Sequence, residues 1–349
     1  MQIKNDFYAQ MMARCLQIAQ NGAYQVAPNP MVGAVLTDKD GNILAEGWHQ
    51  YFGGPHAEVN CFRNLESKTT NDQRPTTYDY KDCTLFVSLE PCSHYGKTPP
   101  CADLIVEKGI GHVVVGMLDP NPLVAGKGIA KLRAAGIKVE VGVLEKECRE
   151  LNKRFLCLQE KKRPYVILKW AQTEDGYLDK KRSMKSDEIA QGPIRISSPF
   201  TKRLVHQMRA ENMAILVGAN TAILDDPKLL TTHWAGRNPI RVLLDRHGRV
   251  PKTARIFSDD AETIVYSERT DWPFVVEDLG KRGIHSILVE GGAQILNHII
   301  ESGIYDEIHV EVSPFVLGEA GVPAPHIDLL VQPSLEVDSH RLYTITHNS

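Results

Sequence analysis

The feature that most constrains this chain is a series of short apolar runs, each bounded by turn residues and separated by stretches of helical spacing. MVGAVL (31–36), TLFVSL (84–89), HVVVGM (112–117) and KVEVGVL (138–144) come first. YVILKWA (165–171), AILVGA (214–219), IRVLLD (240–245), TIVYS (263–267), SILVEGG (286–292) and EIHVEVS (307–313) follow. Runs this short and rich in branched residues read as buried strands. Between them, residues 6–20, 102–108, 129–135, 199–209 and 293–302 read as helices, with stops at Asn21-Gly22 and Gly136. Strands alternating with helices predict an α/β layer fold. At 349 residues the chain is long for one core, which predicts two domains. The charged helical stretch 145–162, broken at Arg163-Pro164, marks the boundary, and the polar residues 71–80 read as a surface loop.

Composition narrows the function classes. A net charge of −3 gives no global basic field for nucleic acid. Lys4, Asp6 and Arg14 interrupt the N-terminal segment and argue against a signal peptide. No window approaches the roughly 18 apolar residues of a membrane span. Seven cysteines, an odd number thinly spread, do not look like a disulfide framework. The expectation is a reducing, cytoplasmic setting, with metal binding the better use for any cysteine cluster.

One such cluster is visible. His56-Ala57-Glu58 comes first, then Glu90-Pro91-Cys92 directly after a strand, then Pro99-Pro100-Cys101, with eight residues between the two cysteines. One imidazole and two thiolates give zinc three protein ligands and leave a fourth position for water, as catalytic sites do. A carboxylate two residues past the histidine can carry the proton from that water to departing ammonia without binding the metal. H-x-E with P-C-x-x-C is the pattern of zinc nucleobase deaminases; here the cysteine spacing is wider. A structural zinc site stays open as an alternative, and His94 is the only close candidate for its fourth ligand. A nucleic-acid-editing deaminase is disfavoured by the charge and by the lack of a basic-aromatic stripe. Cys15, Cys61, Cys83, Cys148 and Cys157 show no paired spacing and read as core or neutral surface residues.

The motifs together resemble the bifunctional riboflavin-biosynthesis deaminase–reductases. APNPMVG (27–33), GWH (47–49), GGPHAEV (53–59), SLEPCSHYGKTPPC (88–101) and MLDPNPLVAGKG (117–128) carry the resemblance in the first half. RPYVILKWAQTEDG (163–176), VGANTAILDDPKLLT (217–231), NPIRVLLD (238–245) and ILVEGG (287–292) carry it in the second. The resemblance implies a cytidine-deaminase-like three-layer domain over 1–148, a connecting segment over 149–162 and a dihydrofolate-reductase-like α/β domain over 163–349. It also implies a small substrate, a diaminopyrimidinone carrying a phosphoribosylamino group, with no nucleic acid or membrane partner, and a homo-oligomeric enzyme. The first domain would remove the ring amine. The second would reduce the ribose to a ribityl chain with NADPH.

Residue by residue, the resemblance implies that His56, Cys92 and Cys101 hold zinc and that Glu58 moves the protons. Asn29, His49, Lys97, Asp119 and Asn121 match positions that bind the pyrimidine and its phosphoribosyl arm. Ala171, Arg195, Thr221, Asp225 and the turn Gly291, Gly292, Ala293, Gln294 match positions beside the nicotinamide cofactor. Arg209 and Glu290 would face the substrate, and Asp225 stands where the family has an acid near the reacting ribose carbon. A glycine turn between a strand and a helix lets a cofactor phosphate approach backbone N–H groups. The chain departs from the family at Thr173, where a serine is usual, and at His233, where a phosphate-binding arginine is usual.

Overall fold

A computed structural model describes residues 2–71, 79–95, 99–121, 124–183, 192–329 and 332–347. The chain divides into two compact units, Met1–Lys161 and Lys162–Ser349.

The first unit is built on five strands: β1 (Gly33–Thr37), β2 (Ile43–Trp48), β3 (Thr84–Leu89), β4 (His112–Met117) and β5 (Lys138–Val141). Their order in the sheet is β2-β1-β3-β4-β5; β1 is antiparallel to both neighbours, and β3, β4 and β5 are parallel. Side chains alternate across a strand, and both faces are covered. Leu36, Leu85, Val87, Val113 and Val115 pack against α2 (Ala57–Asn71), α3 (Cys101–Lys108) and α4 (Lys127–Ala134). Val35, Phe86 and Val114 pack instead against α1 (Gln2–Ala19) and the helices α5 (Glu145–Leu151) and α6 (Lys153–Lys161). This double burial is why these strands read as continuous apolar runs. The run 138–144 is strand only to Val141, because Gly142 and Leu144 take positive φ and turn the chain into α5. The cysteines at 15, 61, 83, 148 and 157 are all buried and outside any disulfide.

The second unit carries an eight-stranded sheet with a two-stranded one beside it. Its strands are β6 (Tyr165–Gln172), β7 (Tyr177–Lys180), β8 (Ala214–Gly218), β9 (Ile240–Leu244), β10 (Thr263–Tyr266), β11 (Ser286–Val289), β12 (Glu307–Val312), β13 (Gly321–Pro323), β14 (Leu335–Val337) and β15 (His340–Thr346). The large sheet has the order β10-β9-β8-β11-β6-β12-β15-β14, and β7 pairs with β13. From β10 to β12 neighbours are parallel; β15 and β14 close the sheet antiparallel. The helices are α7 (Pro199–Glu211), α8 (Ala219–Asp225), α9 (Trp272–Lys281) and α10 (Ala293–Ser302). Trp272, Val275 and Leu279 of α9 and Leu296 and Ile299 of α10 pack on Val166, Leu168, Leu216, Val242 and Ile287. Parallel strands end on one edge, and ligands of open α/β sheets bind beyond those carboxyl ends. Cys92 and Asp119 follow such ends in the first unit, and Thr221 and the turn Gly291–Gln294 follow them in the second.

Candidate active sites

In the first unit the three expected metal ligands come from three places. His56 immediately precedes α2, Cys92 follows β3, and Cys101 is the first residue of α3. The fold brings them together: Nδ1 of His56 lies 3.6 Å from Sγ of Cys92 and 3.4 Å from Sγ of Cys101. All three ligand atoms lie within 4.8 Å of one another, and among the described residues this is the one group of His, Cys, Asp and Glu so arranged. The hydrogen bonds of Cys101 and His56 lower the pKa of Cys92 and favour its thiolate. The adjacent Cys92 and burial push the pKa of Cys101 up. Metal binding releases such protons, since the thiolate is the ligand. A soft two-thiolate, one-imidazole set with one position left over suits zinc. Glu58 lies in the first turn of α2 and is only 3% exposed. Burial raises its pKa, against the pull of His56.

Around this group, His49 is buried, its ring edge-on to His56 at 5.6 Å between centroids. Its Nδ1 lies 3.0 Å from the carbonyl of Pro55, which can only accept, so Nδ1 carries the proton. Burial depresses the pKa of His49 and keeps the ring neutral. Nε2 is then an acceptor for the Asn29 Nδ2, 3.2 Å away. The Asn29 amide is thereby oriented. Asp119 follows β4; its Oδ1 accepts from the Asn121 N–H at 2.8 Å, and burial raises its pKa. Lys97 lies outside the described residues. One residue that the sequence did not offer is Asn152, between α5 and α6. Its Oδ1 accepts from the Met31 N–H at 2.8 Å and its Nδ2 donates to the Met31 carbonyl at 3.0 Å, pinning the segment that carries Asn29.

In the second unit a cavity of about 680 Å³ opens beyond the strand ends, a volume suited to a cofactor and a small substrate. Ala171, Thr221, Asp225, Glu290, Gly291, Gly292, Ala293 and Gln294 all line it. Arg195 is exposed, and neither it nor Arg209 is among the lining residues. Gly292 is the N-cap of α10 and supplies no side chain to the first-turn N–H groups, which leaves an anion-binding helix end at the cavity. Gly218 permits the close packing behind it, since a Cβ there would sit 2.4 Å from Cδ1 of Ile295.

Two ion pairs order the polar wall. Arg209 binds Glu290 with both forks, Nε to Oε1 at 3.0 Å and an Nη to Oε2 at 2.6 Å. Burial pushes Glu290 up, but the charge and hydrogen bonds of Arg209 outweigh it and hold the carboxylate below its ordinary pKa. Arg209 thus reaches the cavity through Glu290. Asp225 pairs with Arg182, which also bonds Asp179 at 2.6 Å and the Leu224 carbonyl at 2.8 Å. Burial raises the pKa of Asp225, and Arg182 opposes the rise. Arg182 and Asp179 also line the cavity. They lie 43 and 46 residues before Asp225, so no local pattern pairs them. His233 is exposed and sets its ring against His206, with centroids 4.7 Å apart.

Comparison with known proteins agrees with this division. Residues 6–117 match the cytidine and deoxycytidylate deaminase zinc-binding region, and residues 164–346 match the RibD C-terminal domain. The riboflavin biosynthesis protein RibD of Aquifex aeolicus is 37% identical over 332 residues, covering 88% of this chain and 87% of its own. That of Escherichia coli is 36% identical over 351 residues, covering 90% and 89%. A crystal structure from Thermotoga maritima, of a diaminohydroxyphosphoribosylaminopyrimidine deaminase/5-amino-6-(5-phosphoribosylamino)uracil reductase, is 37% identical with a TM-score of 0.84 and covers 99% of this chain and all of that one. The first crystal form of Acinetobacter baumannii RibD is 30% identical with the same TM-score and the same coverage. The fold and the sites define a two-activity enzyme, a cytidine-deaminase-like zinc unit followed by a dihydrofolate-reductase-like NADPH unit. The chain belongs to the RibD family of riboflavin-biosynthesis deaminase–reductases. Among the described residues, no helix is long and apolar enough to cross a membrane.

Proposed function

We propose that residues 1–148 deaminate a diaminohydroxyphosphoribosylaminopyrimidine, that 149–162 connect, and that 163–349 reduce the phosphoribosyl arm of the deaminated product to a ribityl chain. The observation that carries this reading is the triad of His56, Cys92 and Cys101 ligand atoms within 4.8 Å, with the buried Glu58 in the adjoining helical turn. The substrate follows from the relative of known structure, whose activities are a deaminase and a reductase on those compounds. Seven cysteines, three of them grouped as candidate metal ligands, suit a reducing, cytoplasmic setting.

His56, Cys92 and Cys101 would hold the metal. When bound, zinc would supply a water activated near neutral pH. Glu58, buried in the first turn of α2, would take a proton from the attacking water and return one to the departing amine, so that a C–O bond forms, the C–N bond breaks and ammonia leaves. Asn29, oriented by His49, presents its amide oxygen to a donor on the ring edge. Asp119, Asn121 and Lys97 serve the rest of the substrate. In the second unit NADPH supplies the hydride. The first-turn N–H groups of α10 and the glycine turn before it would hold a cofactor phosphate, Ala171 and Thr221 would flank the cofactor, and Arg195 would be an outer neighbour. Glu290, fixed by Arg209, and Asp225, fixed by Arg182, face the sugar.

Incubation with the diaminopyrimidine phosphate, with and without NADPH, tests the whole reading. Mass analysis should find the deaminated compound alone without NADPH, and the ribityl product with it. Unchanged substrate under both conditions would refute it.

A further inference from the structure

The E-P-C segment contains a carboxylate that the deamination chemistry leaves without a role. Glu90 is 4% exposed. Its Oε2 accepts from the backbone N–H groups of Asp119 at 3.2 Å and Gly126 at 2.9 Å. Its Oε1 accepts from those of Gly128 at 2.9 Å and Ile129 at 3.3 Å. Gly128 and Ile129 belong to the first turn of α4, whose N-cap, Gly126, has no side chain to satisfy the open N–H groups of a helix start. The positive end of the helix favours an anion at that place. Backbone contact is close on the same side, for a Cβ on Gly128 would lie 2.0 Å from the Pro91 carbonyl oxygen. The N–H of Glu90 itself donates to the Met117 carbonyl at 2.9 Å. One carboxylate therefore ties both ends of the segment from Asp119 to Ile129 to the strand end that carries Cys92.

We propose that Glu90 is a positioning residue of the deaminase site: by binding four backbone amides it sets the place of Asp119 and Asn121 relative to the His56, Cys92 and Cys101 group. The inference rests on the deaminase reading above. Asp119 hangs from Glu90 by its own N–H, and its side chain in turn fixes the Asn121 N–H. Glutamine at position 90 keeps the shape but brings one acceptor oxygen and one NH₂ donor. Two of the four N–H groups would then face a donor, and the segment must shift. Glu58 and the three ligands are not altered, so substrate binding suffers more than the chemical step.

The test uses the full-length zinc-loaded protein and follows ammonia release against substrate concentration. E90Q should bind zinc as the wild type does, raise KM about tenfold or more and change kcat by less than about threefold, the size expected when buried donors lose their partner. E90D keeps the charge on a shorter stem and should fall between the two. An unchanged KM, or loss of zinc, would overturn the proposal. Wild-type protein that releases no ammonia would refute the deaminase reading instead. Should E90Q not fold, hydrogen exchange on the wild type decides the matter. The amides of Asp119, Gly126, Gly128 and Ile129 should be protected together, and exchange of the Asp119 and Gly126 amides at the rate of an open loop would overturn the proposal.

Discussion

Two single residues show how placement sets chemistry. Glu58 is a carboxyl in the first turn of a helix, where the dipole favours the anion. Burial nonetheless raises its pKa, because desolvation penalises the charged form. A carboxyl shifted upward in this way is suited to both accept and return a proton. E58Q removes that capacity and spares every candidate ligand, so zinc content should stay at the wild-type level while kcat for deamination falls by about 10²–10⁴. A variant with wild-type kcat would assign the proton to another group. His206 makes the opposite case. It is buried, and burial together with the charge of Arg209 lowers its pKa from 6.5 to about 4. Its Nδ1 accepts from the Thr232 N–H at 3.1 Å, so a proton there would displace a hydrogen bond. The folded chain refuses a proton that the unfolded chain accepts, and the difference exists only between the two pKa values. Above pH 6.5 both states are neutral and His206 costs nothing; stability is then lost as the pH falls from 6.5 towards 4. The Tm of the wild type should therefore drop relative to that of H206Q across this window, and a constant difference would show that His206 does not titrate so.

At the scale of elements, legibility followed burial. β3, β4 and α10 stand at the residues their patterns predicted, because strands buried on both faces and a helix stopped by Gly303 leave strong signals. β2 was not legible: it is an edge strand, ILAEGW, with half-exposed positions and a charge. α2 was hidden by its polar face, although His56 and Glu58 at its start had been singled out for their chemistry. The zinc group could be read because its motifs are local, and only their convergence required the fold. The partners of Asp225, Glu290 and Glu90 lie dozens of residues away and could not be read. Asn152 is the sharpest example. It sits in a stretch expected to connect, yet its amide imitates a peptide group for Met31, 121 residues earlier. N152A would leave the Met31 N–H and carbonyl without that partner, at a cost of about 1–3 kcal/mol in unfolding free energy. Urea titration should show the loss as a lower midpoint. N152D keeps the acceptor for the Met31 N–H but sets a buried carboxylate oxygen against the Met31 and Cys148 carbonyls, and should lose at least as much. Equal midpoints for N152A and wild type would mean that water replaces the amide.

At the scale of the whole molecule, the two chemistries draw on separate sets of groups. His56, Glu58, Cys92 and Cys101 belong to the unit Met1–Lys161; every residue lining the 680 Å³ cavity belongs to the unit Lys162–Ser349. Groups without shared partners are expected to respond independently to substitution. Chelation of zinc should therefore stop ammonia release, while NADPH oxidation with already deaminated substrate continues. Asp225→Asn should do the reverse. It keeps the volume of the side chain but removes the charge facing Arg182, which remains bound to Asp179. The guanidinium then has one carboxylate fewer to balance it at the cavity wall, and reduction should slow while deamination and zinc content stay at wild-type levels. The readouts are ammonia release and NADPH absorbance, measured on one preparation of each protein. If Asp225→Asn stopped ammonia release at unchanged zinc content and unchanged fold, the two sets would not be independent. The second unit would then be part of the deaminase site.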